Sequence, residues 1–125
     1  MKAQGVWEGV TIALGSEFGR TIDTNGAGTD HGWAGHSFIL GGAVRGGQVL
    51  GSYPDDLSAA SDLRFQRVIV PSMSWESMWH GLAQWLGVSA EHMETVLPNL
   101  HHFTNCTGAG CGVLTSEMMF KPAPA

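Results

Sequence analysis

Asp30 and His31 stand side by side in Thr29-Asp30-His31-Gly32, and His36 follows five residues later. Carboxylates and imidazoles are the oxygen and nitrogen donors that Zn²⁺ and similar ions accept, at about 2.0–2.2 Å. A second polar stretch, Ser16-Glu17-Phe18-Gly19-Arg20-Thr21, precedes them and adds a carboxylate at Glu17. Glu17, Asp30, His31 and His36 are therefore the candidate ligands of a divalent metal such as zinc. Arg20 is the candidate catalytic-site residue for the substrate, because a planar guanidinium pairs with an anion through two parallel bonds where a lysine offers only a point charge.

The same residues have plainer roles open to them. Asp30 can cap a turn by bonding to nearby backbone, and His36 can be a hydrogen-bonded core histidine. Glu17 and Arg20, three apart, can simply pair with each other, and an exposed pair of that kind contributes about 0–1 kcal/mol. His101 and His102 are adjacent, so an extended chain turns their rings to opposite faces. Cys106 and Cys111 enclose Thr-Gly-Ala-Gly, a loop flexible enough to bring the two side chains to disulfide distance. Their spacing is neither that of a zinc site nor the C-x-x-C redox motif, and the sequence leaves their redox state open.

The elements that must position these groups follow from the patterning. Val10-Thr11-Ile12-Ala13-Leu14 is an apolar, β-branched run stopped by Gly15, which reads as a central strand buried on both faces. It delivers Ser16–Thr21 to a carboxyl edge, where open α/β sheets place their ligands. From Ser16 to His36 the chain reads as a glycine-rich polar loop. His36-Ser37-Phe38-Ile39-Leu40, ended by Gly41-Gly42, reads as the next strand, and Gln48-Val49-Leu50 as a shorter one. Arg67-Val68-Ile69-Val70 is extended and must end at Pro71, which lacks a ladder donor. Ser72 or Ser74 caps a helix carrying Trp75, Met78, Trp79, Leu82, Trp85 and Leu86 on its core face, with Gly87 as its stop. Ser89-Ala90-Glu91-His92 starts a second short helix that Pro98 ends. Lys2-Ala3-Gln4-Gly5-Val6-Trp7 reads as the end of a helix whose body lies upstream, as in an internal piece of a larger α/β protein. Residues 105–125 give no regular pattern and form an irregular Cys-, Gly- and Pro-containing tail after a domain spanning 1–104.

Composition narrows the partners. Only six Lys and Arg residues and a formal net charge of −5 leave no basic footprint for a phosphate backbone, so nucleic acid is excluded as an expected partner. No apolar run approaches the roughly 20 residues that span a bilayer, and the first residues carry no export signal. The charged fraction of 14% lies well under the ~25% of an average soluble domain, which points to surface meant for partner structure. Strands without sheet neighbours would leave apolar faces and open edges, so a truncated chain is expected to self-associate.

Trp7, Ser16-Glu17-Phe18-Gly19-Arg20-Thr21, Gly28-Thr29-Asp30-His31-Gly32, Leu40-Gly41-Gly42-Ala43-Val44, Gly46-Gly47 and Gly51 together resemble the C-terminal part of a bacterial family, domain of unknown function fifteen hundred and one. Val70-Pro71, Trp85-Leu86-Gly87-Val88 and Leu97-Pro98-Asn99-Leu100 extend the resemblance to about Phe103. The resemblance implies a sulfatase-like relative of the alkaline phosphatase superfamily: an α/β fold forming the C-terminal portion of that superfamily's sheet with flanking helices. It further implies a parent protein that hydrolyses phosphate or sulfate esters with a divalent metal, acting on an anionic small-molecule or glycan ester. In such relatives a strand ending in Ser-Asp-His-Gly supplies two metal ligands; here that strand ends in Ser16-Glu17-Phe18-Gly19, and Phe18 cannot bind a metal. Asp30, His31 and His36 would have to compensate, and the superfamily's nucleophile belongs to an N-terminal half outside this sequence. The other expectations are a non-catalytic binding or surface-associated module and a truncated product without activity of its own. Relatives of this kind are usually exported, which implies a periplasmic or extracellular parent and favours a Cys106–Cys111 disulfide.

Overall fold

The structure is a computed structural model and describes residues 2–107 and 111–122. Met1, Gly108-Ala109-Gly110 between the cysteines, and Ala123-Pro124-Ala125 lie outside the described residues, as do the parts of the N-terminal and tail readings that fall on them. The chain is mixed α/β, built from small two-stranded sheets and several helices. It divides into two compact units. The first comprises Met1–Ile12, Ile39–Gln48 and Met73–Ala125; the second comprises Ala13–Phe38 and Val49–Ser72. No helix among the described residues is long and apolar enough to cross a membrane.

In the first unit the expected helix is present as α1, Trp75–Trp85, entered through Ser74 in extended geometry. Gly87 ends it at φ 88°, a left-handed conformation that a side chain would strain. The core face is different from the expected one. Ser77, Gly81, Leu82 and Ala83 are the buried residues of the helix, whereas Trp75 and Leu86 are mostly exposed. Small side chains win this face because another backbone lies close to it: Leu114 donates its N–H to Ser77 Oγ at 3.1 Å, and a Cβ on Gly81 would run into Met119. The tail therefore contains an ordered, packed segment. Helix α4, Ser116–Met119, buries Met119 at its end, and the next residue, Phe120, stacks on Trp85 with ring centroids 4.8 Å apart. Ala83, Met93 and Leu100 form a further core cluster, with Val88, Leu97 and Val113 against it.

Helix α2, Met93–Val96, follows a 3-10 turn over Ala90–His92 and gives the second helix read from Ser89-Ala90-Glu91-His92. Helix α3, His101–Thr104, corrects the extended reading of the adjacent histidines: their rings lie 3.9 Å apart instead of on opposite faces. Cys106 and Cys111 are joined in a disulfide.

Strand β1, Thr11–Leu14, pairs with β4, Phe38–Gly41. The expectation that β1 is buried on both faces is corrected, since Ile12 and Leu14 are 47% and 48% exposed. Among the described residues β4 is its one ladder partner, so β1 is not a central strand there, and its alternate residues face solvent. Gln48-Val49-Leu50 forms no strand.

The largest departure lies in the second unit. Ser16 to His36, read as a loop, contains the antiparallel strands β2, Gly19–Thr24, and β3, Thr29–Gly32. A smaller hairpin, β5, Arg64–Phe65, and β6, Val68–Ile69, lies against it: Ile22 donates its N–H to the Arg67 carbonyl at 3.0 Å and Ala34 to the Ile69 carbonyl at 3.0 Å. The extended segment ends before Pro71, as its sequence requires.

Candidate functional site: a clamped hairpin bulge

The register of β2 and β3 pairs Gly19 with Gly32, Arg20 with His31, and Thr24 with Thr29. Thr21, Ile22 and Asp23 thus stand opposite Asp30 alone, so the ladder bulges on the β2 side. Ladder bonds lost there are replaced by a buried side chain. The Thr21 hydroxyl accepts the Asp30 N–H at 3.0 Å and donates to the Asp23 carbonyl at 3.1 Å. At the turn, Asn25 N–H donates to the Gly28 carbonyl at 2.9 Å and its Oδ1 accepts the Ala27 N–H at 2.9 Å.

Two arginines of the β5–β6 hairpin close over the bulge. Arg67 donates from Nη1 to Asp30 Oδ2 at 2.9 Å and from Nη2 to the Asp23 carbonyl at 3.1 Å. Arg64 donates from Nη2 to Asp23 Oδ2 at 2.7 Å, from Nε to the Gln66 carbonyl at 2.6 Å and from Nη1 to the Leu57 carbonyl at 3.1 Å. Asn25 Nδ2 donates to the other oxygen of Asp30, Oδ1, at 2.7 Å. The Asn25 bond first, and then the Arg67 bond and charge with the nearby His31, hold the Asp30 carboxyl below the ordinary carboxylate range against an opposing desolvation.

On the solvent face of the hairpin, Phe18, Arg20 and His31 group together. Residues i and i+2 of an extended chain share a face, and Arg20 and His31 are cross-strand partners, so the three side chains meet. The Phe18 and His31 rings stack with centroids 3.6 Å apart and planes 11° apart. The Arg20 guanidinium carbon lies 5.2 Å from the Phe18 centroid, and its Nη1 donates to the Thr29 carbonyl at 2.9 Å. The opposite face admits no side chain at either end of the closing pair: a Cβ on Gly19 would collide with the Ala34 carbonyl, and one on Gly32 would sit 2.6 Å from the Arg20 carbonyl oxygen.

The hairpin brings Arg20 across from His31 and next to Asp30's strand, but it sets the three to different tasks. Asp30 is tied to Asn25 and Arg67 through both carboxylate oxygens; His31 covers Phe18; Arg20 faces solvent. Glu17 and His36 are exposed in the segments flanking the hairpin, and Glu17 does not form the alternative pair with Arg20. Among the described residues no three His, Cys, Asp or Glu side chains gather as a metal-ligand set. Of these candidates, Asp30 already accepts one hydrogen bond at each carboxylate oxygen, from Asn25 and from Arg67. Arg64 and Arg67 escaped the sequence reading because they lie 41 and 37 residues from their aspartates. The hairpin itself had a signal, Asn25-Gly26 between two runs containing threonine and alternating polar residues.

The fold and site together define a small mixed α/β protein that displays an arginine-clamped hairpin. A family model described as "Protein of unknown function (DUF1501)" matches residues 1–83, and the chain belongs to that family. The matched residues include the whole hairpin and both clamping arginines, and stop short of the Trp85–Val88 and Leu97–Leu100 segments to which the sequence reading extended the resemblance. No curated protein matches the chain, and no solved structure matches it.

Proposed function

We propose that this chain is a non-catalytic binding module whose working surface is the solvent face of the β2–β3 hairpin. The observation that carries this reading is the state of Asp30. Each of its oxygens accepts a hydrogen bond that holds the bulge, which supports a structural role for this carboxylate. The cluster of exposed Arg20 and His31 with half-buried Phe18, by contrast, has donor and aromatic surface to offer a ligand. An anionic small molecule or glycan suits this face better than a nucleic acid, given the net charge of −5. The exported location implied by the family resemblance is compatible with the Cys106–Cys111 disulfide, which persists in oxidising compartments.

The test is to assay the chain, and any longer gene product that carries it, for hydrolysis of 4-nitrophenyl phosphate and 4-nitrophenyl sulfate. Bound metal is measured on the same samples. The expected result is no turnover and no stoichiometric metal. Ester hydrolysis that disappears in Asp30→Ala would overturn the reading and restore the metal-dependent hydrolase of the sulfatase-like relatives.

A further inference from the structure

We propose that Arg20 is an oxyanion-binding residue, preorganised to take a carboxylate or phosphate group through the Nε–Nη2 edge of its guanidinium. The proposal rests on the binding-module reading above and names the ligand class of its face. Arg20 sits at an exposed position of β2, directly opposite His31, and its Nη1 is anchored to the Thr29 carbonyl at 2.9 Å. The Phe18 ring supports the guanidinium at 5.2 Å and is itself held by its stack on His31. These contacts fix a side chain that would otherwise lose rotamer freedom on binding, which is the usual cost of an arginine–anion contact.

The anchoring leaves one edge unused. Nη1 is spent on Thr29, and among the described residues no carboxylate lies within ion-pair distance of Arg20. Nε and Nη2 are the parallel pair that matches two oxygens of an oxyanion. The two aspartates nearest in the hairpin do not compete for it. Asp30 is paired with Arg67 and Asp23 with Arg64, so their charges are offset locally and neither occupies the free edge. The ring of His31, on the paired position, adds an N–H donor on the same face. Arg45, for comparison, has no ion pair but spends its Nε on the Phe120 carbonyl, and Arg64 and Arg67 are both in ion pairs. Among the described residues, Arg20 is the arginine that is anchored and un-neutralised while its Nε–Nη2 edge carries no bond.

The experiment is an NMR titration of the whole chain with inorganic phosphate in one arm and acetate in the other, at constant ionic strength. The Arg20 Nε–Hε signal and the His31 ring protons report binding. A saturable shift of both signals is expected, and the arm in which it occurs identifies a phosphate or a carboxylate source. Arg20→Gln should weaken binding roughly 10- to 100-fold, the loss expected for a charge-assisted hydrogen-bond pair, while the Asn25 and Asp30 amide signals keep their positions. Arg20→Lys, which keeps the charge and loses the fork, should bind more weakly than wild type and serves if the glutamine variant does not fold. Shifts that fail to saturate in both arms, or that are unchanged in the variants, would overturn the proposal. Hydrolysis is read in a separate assay, so loss of the oxyanion site and loss of the binding-module reading are distinguishable.

Discussion

Arg67 Nη1 and Asp30 Oδ2 lie 2.9 Å apart, and this contact ties the β5–β6 hairpin to the bulge of the β2–β3 hairpin. It gives Asp30 a structural partner. A carboxylate beside an imidazole invites a metal-site reading, yet here it accepts from one arginine and one asparagine that lie on different segments of the same unit.

The first prediction concerns pH. The folded-state pKa of Asp30 is lowered by Asn25 and Arg67, so its contribution to stability is fully present above the unfolded carboxyl value of about 3.9 and is lost as pH falls through the lower folded value. Asp56, lowered by the Ser58 N–H and then by the Ser58 hydroxyl, acts in the same sense. Thermal melts from pH 6 down to about pH 2 should show Tm falling, with a shallower fall in Asp30→Asn. An equal fall in both proteins would show that Asp30 is not a linked group.

Thr21→Val keeps the shape of the side chain and removes its hydroxyl. The Asp30 N–H and the Asp23 carbonyl would each lose a partner at a position only 7% exposed. The expected cost is about 1–3 kcal/mol by chemical denaturation, the usual range for leaving a buried polar group unpaired. Unchanged stability would mean that the hydroxyl does not replace the ladder bonds of the bulge.

Gly32→Ala places a methyl group against the Arg20 backbone, and strands β2 and β3 must part to admit it. The Phe18–His31 stack depends on that pairing, so its ring-current shifts should shrink together with stability. A variant with wild-type His31 ring shifts would refute the close approach.

How much of this was legible in the sequence depended on the kind of signal. Helix α1 was readable because Leu82 and its apolar neighbours recur at helical spacing between Ser74 and Gly87, although spacing alone did not show that Ser77 and Gly81 would face the core. That face is chosen by residues 113–120, a stretch with no pattern of its own whose Met119 and Phe120 become core only through packing. The hairpin was obscured for a related reason. Gly19–Gly32 has few apolar residues, so a hydrophobic-period reading calls it a loop, and its stability derives from Thr21, Asn25 and two distant arginines. Asp30 and His31 stand out in the sequence as an adjacent carboxylate and imidazole. Their neighbours in space, Arg67 and Phe18, come from elsewhere in the chain and have no signal beside them in the sequence.

Mutating Cys106 and Cys111 together to Ser should lower stability by about 2 kcal/mol, as expected for opening a ring of this short length. The same loss should follow reduction of the wild type, measured by denaturant unfolding with and without a dithiol reductant. A wild type indifferent to reduction would show that the bridge constrains nothing in the unfolded chain.

The central claim, that Asp30 holds the hairpin instead of a metal, is tested most directly by thermal melting of wild type and Asp30→Asn with and without added Zn²⁺. A ligand that binds the folded state raises Tm by mass action. The account predicts that Asp30→Asn melts lower than wild type and that zinc leaves both midpoints where they were. A rise in Tm on adding zinc that occurs in wild type and vanishes in Asp30→Asn would contradict it.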